Sequence, residues 1–214
     1  MTALQKWILG LAAVIVASGI SYQWLDRPIA LLSRRSISGH TFFLLGQLPD
    51  PFLPLAVIAF VSLGLWRLSG RVLSKVQKCA WACSLSLITA VATKAELKLV
   101  FGRTWPSSWM GNNPSYVRDG IYGFNFFHGG NEYASFPSGH MAMVCAVIAV
   151  LWVYFPAGRA FYVLAILTAG AGLVVANYHF LSDVIAGSFV GVTCGLITIA
   201  LGGALEEDRK QSSL

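Results

Sequence analysis

The chain has 214 residues, 56% of them hydrophobic and only 11% charged, with a formal net charge of +6 and a mean hydropathy of +0.67. A soluble domain carries about 25% charged residues, so the composition excludes a soluble enzyme, a disordered segment and a disulfide-knit secreted module. What remains is one integral membrane bundle, and its seven Trp, seven Tyr and thirteen Phe suit contact with lipid.

A spanning helix needs about 20 mostly apolar residues. The first candidate, residues 7–25, contains no Asp, Glu, Lys or Arg. Lys6 ahead of it and Ala17-Ser18-Gly19 near its end look like a secretory signal. The run is longer than a signal core, however, and an uncleaved span is expected. Residues 26–40 set Arg27, Arg34 and Arg35 among Ile29, Leu31, Leu32 and Ile37, which suits a short interfacial helix or a solvated connector. Further spans are expected at 48–67, 79–100, 137–156, 160–177 and 183–203. The fold class predicted is therefore all-α, a six-transmembrane-helix bundle forming a single domain over 1–214. Between the third and fourth spans lies a long loop, 102–135, rich in Gly, Asn, Pro and aromatic residues. A structured loop of that length is usually functional. It is expected outside, over the active site, with 112–120 and 125–130 reading either as a lid or as a headgroup-level loop.

Six spans put both termini on one side. Cytoplasmic termini place Lys6, Arg67, Arg71, Lys75, Lys78, Arg159, Arg209 and Lys210 inside, and Arg27, Arg34, Arg35, Arg103 and Arg118 outside, the bias that orients membrane helices. The net positive charge thus reads as topology and attraction to anionic headgroups, and no nucleic-acid partner is expected. The cysteines at 79, 83, 145 and 194 all fall within or at the inner ends of spans. They read as small apolar residues, without a disulfide or a metal site.

Ionisable groups inside spans are expensive and default to functional candidates. Here they are Lys94, Glu96, Lys98, His140, His179 and Asp183. Lys98 ends the third span, His140 opens the fourth, His179 closes the fifth and Asp183 opens the sixth. Because successive spans reverse direction, these four positions fall on one face of the membrane. In Ser135-Phe136-Pro137-Ser138-Gly139-His140, Pro137 suits a first helical turn. The free amides of a helix start bind phosphate, with Gly139 allowing close approach. His140 there can donate a proton to a leaving oxygen. His179 and Asp183, four apart, share a face of a continuous helix, so the carboxylate can fix the imidazole tautomer and expose its other nitrogen as a nucleophile. Lys98, with Lys94 one turn earlier, adds positive charge for the phosphate.

These residues resemble the type-2 phosphatidic acid phosphatase superfamily, the lipid phosphate phosphatases related to vanadium haloperoxidases. That family's motifs read Lys-x6-Arg-Pro, Pro-Ser-Gly-His and Ser-Arg-x5-His-x3-Asp. The second is intact at Pro137–His140, the third survives as His179-Phe180-Leu181-Ser182-Asp183, and the first is recognisable from Lys98 to Pro106. Trp105 stands where the first motif has its arginine, and Gly172-Leu173 where the third has Ser-Arg. In the family those arginines hold phosphoryl oxygens; Arg103, Arg118 or His128 are the candidates to replace them.

The resemblance implies a metal-independent phosphatase without cofactor, acting on a lipid phosphate. Its expected catalytic residues are His179 as nucleophile, Asp183 as its orienting acid and His140 as proton donor. The phosphate binders implied are Lys98, Ser138, Gly139, Arg103 and Arg118. Polyprenyl diphosphate, phosphatidic acid, phosphatidylglycerol phosphate and lipid A phosphates all fit as substrate. A lipid phosphotransferase on the same site, or an impaired homologue that binds or transports a lipid phosphate, stands as the alternative. The location implied is multi-pass in a bacterial inner or plasma membrane, with the site facing the periplasm or exterior. No oligomeric state follows from the sequence.

Overall fold

The computed structural model describes residues 1–33, 51–108 and 112–211, with side chains described up to residue 202. Helix α1 (Ala3–Ile20) begins at a capping box in which Thr2 Oγ1 accepts from the Gln5 N–H at 3.2 Å and Gln5 Oε1 accepts from the Thr2 N–H at 2.9 Å. Two of the four orphan amides of the helix start are satisfied this way. The helix does not stop at residue 25. A π turn (Ser21–Leu25) carries it into α2 (Asp26–Ser33). Pro28 has no N–H for the carbonyl one turn earlier, and the wider π turn just ahead of it accommodates that loss. The connector expected at 26–40 is thus helical as far as Ser33, and 34–40 lie outside the described residues. The continuous rod Ala3–Ser33 has 31 residues. At about 1.5 Å per residue it is roughly 46 Å long, against a hydrocarbon core of about 30 Å, so one end projects beyond it.

Helix α3 covers Phe52–Leu68 and α4 covers Lys75–Phe101. The start of α4 precedes the expected 79 because Ser74 and Gln77 form a second capping box, and it ends where Gly102 turns left-handed at φ 54°. Helix α5 is Gly139–Tyr154, α6 is Arg159–Val175 and α7 is Leu181–Gln211. Among the described residues, three helical stretches are long and apolar enough to cross a membrane by length and composition: Ala3–Ser33, Pro156–Val175 and Leu181–Gly202. Phe52–Leu68 and Gly139–Tyr154 are shorter apolar helices, and α4 carries Lys94, Glu96 and Lys98 within its length. Among the described residues the architecture is all-helical, with isolated bridges at Arg103 and Trp105 but no strand. Among the described residues the longer helices number seven with α1 and α2 counted separately, besides a single helical turn at Tyr116–Asp119, where six spans are expected from hydropathy.

Helix α7 is the centre of the bundle and packs against α5, α4 and α1, while α4 also holds α3 and α5. The seam with α5 is made by glycines one turn apart. A Cβ on Gly187 would lie 2.3 Å from the Ser138 carbonyl oxygen, one on Gly191 2.2 Å from that of Ala142, and one on Gly195 2.6 Å from the Ala149 Cβ. Backbone thus meets backbone, the device by which small residues bring membrane helices together. Around the seam, Met141, Cys145 and Val184 form one buried cluster and Ala90, Ala146 and Cys194 another. The four cysteines are free thiols. Replacing Gly191 with Ala forces the two backbones apart, an overpacking that costs about 1–3 kcal/mol. Gly172→Ala, whose new Cβ meets nothing within 4 Å, is the control. Thermal unfolding in detergent should show a lower midpoint for Gly191→Ala alone.

Candidate active site

Three chain segments meet beside the seam. Ser138 caps α5, its side chain accepting from the Met141 N–H at 3.4 Å. Its own N–H donates to the Asp183 carbonyl at 3.0 Å, which ties the start of α5 to the start of α7. Pro137 lies just outside the helix, ahead of the Ser138 cap, so the first turn begins two residues later than its position suggests. Helix α6 is ended by Asn177, at φ 55°, a left-handed position that Asn tolerates. The Leu173 carbonyl accepts from both the Tyr178 N–H (3.0 Å) and the His179 N–H (3.2 Å). Asn177 Nδ2 donates to the Ala30 carbonyl of α2 at 2.8 Å. His179 therefore sits in the connection between α6 and α7, two residues before α7 starts. The i,i+4 pairing with Asp183 is kept, but by this turn rather than by one continuous helix as expected.

His179 is buried, and its Nδ1 faces Asp183 Oδ2 at 3.5 Å without making a hydrogen bond. The His140 ring lies 5.9 Å from the His179 ring, centroid to centroid, and Trp105 packs against His179 at 5.2 Å. From α4, Lys98 Nζ stands 5.5 Å over the Trp105 ring. Lys94 fills the space left by the missing side chain of Gly139, where a Cβ would be 2.8 Å from its Nζ. Two ammonium groups, two imidazoles and the amide end of α5 thus share one place, and a phosphate is the ligand such a set accommodates. Burial holds the His179 imidazole below its ordinary value; Asp183 opposes that shift, while Lys98 and Lys94 add to it.

Behind the histidines lies a buried ionic network. Asp183 Oδ2 accepts from Ser135 Oγ at 2.6 Å and reaches back to the Phe180 N–H at 2.9 Å. Its Oδ1 is ion-paired with Arg103 Nη1. Arg103 Nη2 bonds Asp26 Oδ2 at 2.7 Å, and Ser182 links both partners by accepting from Arg103 Nη1 at 2.6 Å and donating to Asp26. The relative exposures of Arg103, Asp26 and Asp183 are 0%, 1% and 0%. The rings of Phe180, Phe124, Tyr22 and Tyr122 surround the guanidinium at 4.3, 5.0, 5.2 and 5.3 Å. Burial alone would lower the Arg103 pKa, but the two carboxylates more than reverse this and keep it charged.

The expectation that Arg103 and Arg118 line the phosphate pocket meets a different arrangement. Arg103 is enclosed between two carboxylates. Arg118 is surface-exposed and holds its own loop, its Nε bonding Asp119 at 2.7 Å and its Nη2 the carbonyls of Asn112 (2.9 Å) and Asn113 (3.1 Å). His128 is exposed on Tyr133, with ring centroids 4.0 Å apart. Leu173, at the position of the absent motif arginine, packs against the apolar cluster of Met141, Cys145 and Val184. Trp105 donates from Nε1 to the Asn131 carbonyl at 2.7 Å and forms one wall at His179. Missed by sequence reasoning were Asp26, Ser135, Tyr122 and Asn177. Only Asp26 carried a signal, as an acid at the end of an apolar run. Among the described residues no group of three or more His, Cys, Asp or Glu side chains is placed to hold a metal ion. An apolar cavity of about 660 Å³ between α1, α4 and α7 borders this network at Ser182 and is lined by Leu11, Ile15, Thr93 and Phe189 among others.

The PAP2 superfamily matches residues 80–206, more than half the chain and a range that contains Lys98, His140, His179 and Asp183. Two curated proteins named lipid A 1-phosphatase, from Rhizobium johnstonii and Rhizobium etli, are each 35% identical to this chain over 86 residues, 40% of its length. Those residues are 35% and 37% of the respective relatives, so the match spans little more than a third of their length. No solved structure gives a significant match. With its His140, His179 and Asp183 constellation inside the matched range, the chain belongs to the PAP2 superfamily.

Proposed function

We propose that this protein is a multi-pass membrane phosphatase that hydrolyses a lipid phosphate through a phosphohistidine, with its site at the outer face of the membrane. The observation that carries the reading is the approach of His140 and His179 to 5.9 Å at the converging ends of α5 and α7, with Lys94 and Lys98 reaching the same place from α4. His179 Nε2 attacks phosphorus while Nδ1–H faces Asp183. As the P–O bond to the leaving group breaks, His140 gives that oxygen a proton. Water then attacks the phosphohistidine, His140 takes its proton, and phosphate leaves His179. Asp183 stabilises the positive charge that the ring acquires on attack. The low pKa of buried His179 supplies the free base at neutral pH. Lys94, Lys98 and the amide of Gly139 neutralise the phosphoryl oxygens, the work of the arginines absent at Trp105 and Leu173. The apolar cavity beside α1 and the lipid A relatives favour a substrate whose chains stay in the bilayer, with a lipid A 1-phosphate the first to try. Trp105, just after α4, bounds the site against His179.

Phosphate release from detergent-solubilised lipid A, phosphatidic acid, phosphatidylglycerol phosphate and polyprenyl diphosphate, measured in EDTA, tests this directly. Wild type should turn over at least one, and His179→Ala none. Binding without release from any lipid favours the impaired homologue, and transfer to an added alcohol favours the phosphotransferase. Gly139→Ala should push Lys94 aside and raise KM about tenfold, equivalent to about 1.4 kcal/mol, with a smaller change in kcat. By nitrogen-15 NMR, His179 should be mostly neutral at pH 6.5, where an ordinary histidine is half protonated. Lys98→Met removes a nearby positive charge, which favours imidazolium and should move that titration upward. A midpoint at or above 6.5 in wild type contradicts the proposed free base.

A further inference from the structure

We infer that Asp26 is a positioning residue for the catalytic pair, acting through Arg103 on Asp183 and thereby on His179; the inference rests on the role proposed for His179 above. Arg103 is shared. Its Nη1 pairs with Asp183 and its Nη2 with Asp26 at 2.7 Å, all three side chains being fully enclosed. Asp26 is itself fixed from four sides: Ser21 Oγ donates to its Oδ1 at 2.7 Å, the Ser182 N–H to the same oxygen at 3.0 Å, Ser182 Oγ to Oδ2, and Tyr122 OH lies 3.2 Å from Oδ2. The π turn ahead of α2 is what brings Asp26 to this point. A buried guanidinium with a single carboxylate would lie wholly on Asp183 and neutralise it. With a second carboxylate on the opposite nitrogen, Asp183 retains negative charge for the imidazole that faces it. One oxygen of Asp183 faces Arg103 and the other faces His179, Ser135 and the Phe180 N–H. The orientation of Arg103 therefore sets the orientation of the catalytic carboxylate.

The backbone explains why this arginine does not bind phosphate. Residues 103–105 run extended, bridged to Phe124, Ala134 and Ser115, so Arg103 and Trp105 point to the same face. Trp105 occupies the place against His179, and Arg103 lies beside it on the carboxylate. The charge that the motif position lacks is thus moved behind the nucleophile.

The groups facing His179 are Asp183 on α7, Lys94 and Lys98 on α4 and His140 on α5. Those facing Asp26 and Arg103 are Asp183, Tyr122 and the hydroxyls of Ser21 and Ser182. Asp26→Asn keeps the shape of the side chain and removes one negative charge from this set. Arg103 should then bind Asp183 more fully, and the imidazolium-like charge formed on His179 during attack should lose support. The expected result is a kcat lower by about 10–100-fold, by analogy with partners that orient a metal-ligating side chain, with KM within twofold of wild type. In protein free of substrate, the NMR titration of His179 should move to lower pH. Should Asp26→Asn fail to fold, Tyr122→Phe removes the hydroxyl 3.1 Å from Arg103 Nη2 and should lower kcat several-fold in the same direction. An unchanged kcat together with an unmoved His179 titration in the folded variant overturns the inference. So does a loss that follows only the fraction of folded protein. Because the titration needs no turnover, wild type inactive on every lipid would overturn the phosphatase reading while the coupling between Asp26 and His179 is still measured.

Discussion

A guanidinium with no access to solvent, held between two carboxylates from opposite ends of the chain, is the interaction on which the rest of this site depends. Desolvating an ion costs several kcal/mol, and a buried pair repays this only with good geometry and further hydrogen bonds. Arg103 has both: an ion pair on each side, Ser182 and Tyr122 as additional partners, and four aromatic rings around it. Removing either carboxylate would leave an uncompensated buried charge. The network therefore joins α2, Arg103, Tyr122 and Ser135 from the segments between α4 and α5, and the start of α7 into one unit, and His179 faces that unit through Asp183.

A second constraint is steric. Gly187, Gly191 and Gly195 let α7 approach α5 until backbone carbonyls replace side chains at the contact. That approach lets the Ser138 N–H reach the Asp183 carbonyl, and it places His140 at the same level as His179. Without the seam, the imidazole at the start of α5 and the one just ahead of α7 would not share one site. At the other end of α4, Gly102 performs a related function, since a Cβ there would lie 1.9 Å from the Asn125 carbonyl oxygen. The left-handed turn at Gly102 aims the chain so that Arg103 enters the bundle and Trp105 meets His179.

Much of the site was readable from the chain because its chemistry depends on local spacing. The helix ends that matter to the site fall close to where its apolar runs stop, and the reversal of successive helices brings Lys98, His140, His179 and Asp183 to one end of the bundle. Less readable was the use of each cation. Charge does not separate Lys94 and Lys98 from Arg103 and Arg118, and Lys98 and Arg103 both lie within the first motif. What separates them is direction: the lysines project from α4 toward Gly139 and Trp105, whereas Arg103 projects between carboxylates and Arg118 into its own loop. Asn177 illustrates the same limit. Its left-handed turn, which puts His179 ahead of α7, has no signature that separates it from an ordinary helix end.

By itself the sequence determined the strongly apolar, membrane-suited composition, the all-helical class, and that His140, His179 and Asp183 come together at one end of the bundle, since hydropathy and motif spacing are properties of short stretches. Only the tertiary structure decided that α1 continues into α2, that Asp26 belongs to the centre of the network, and that Arg103 faces a carboxylate rather than an open pocket. The physical reason is that an ion pair between residues 26 and 103 depends on no local pattern. It depends on where the π turn, the glycine seam and the turn at Gly102 bring distant segments together.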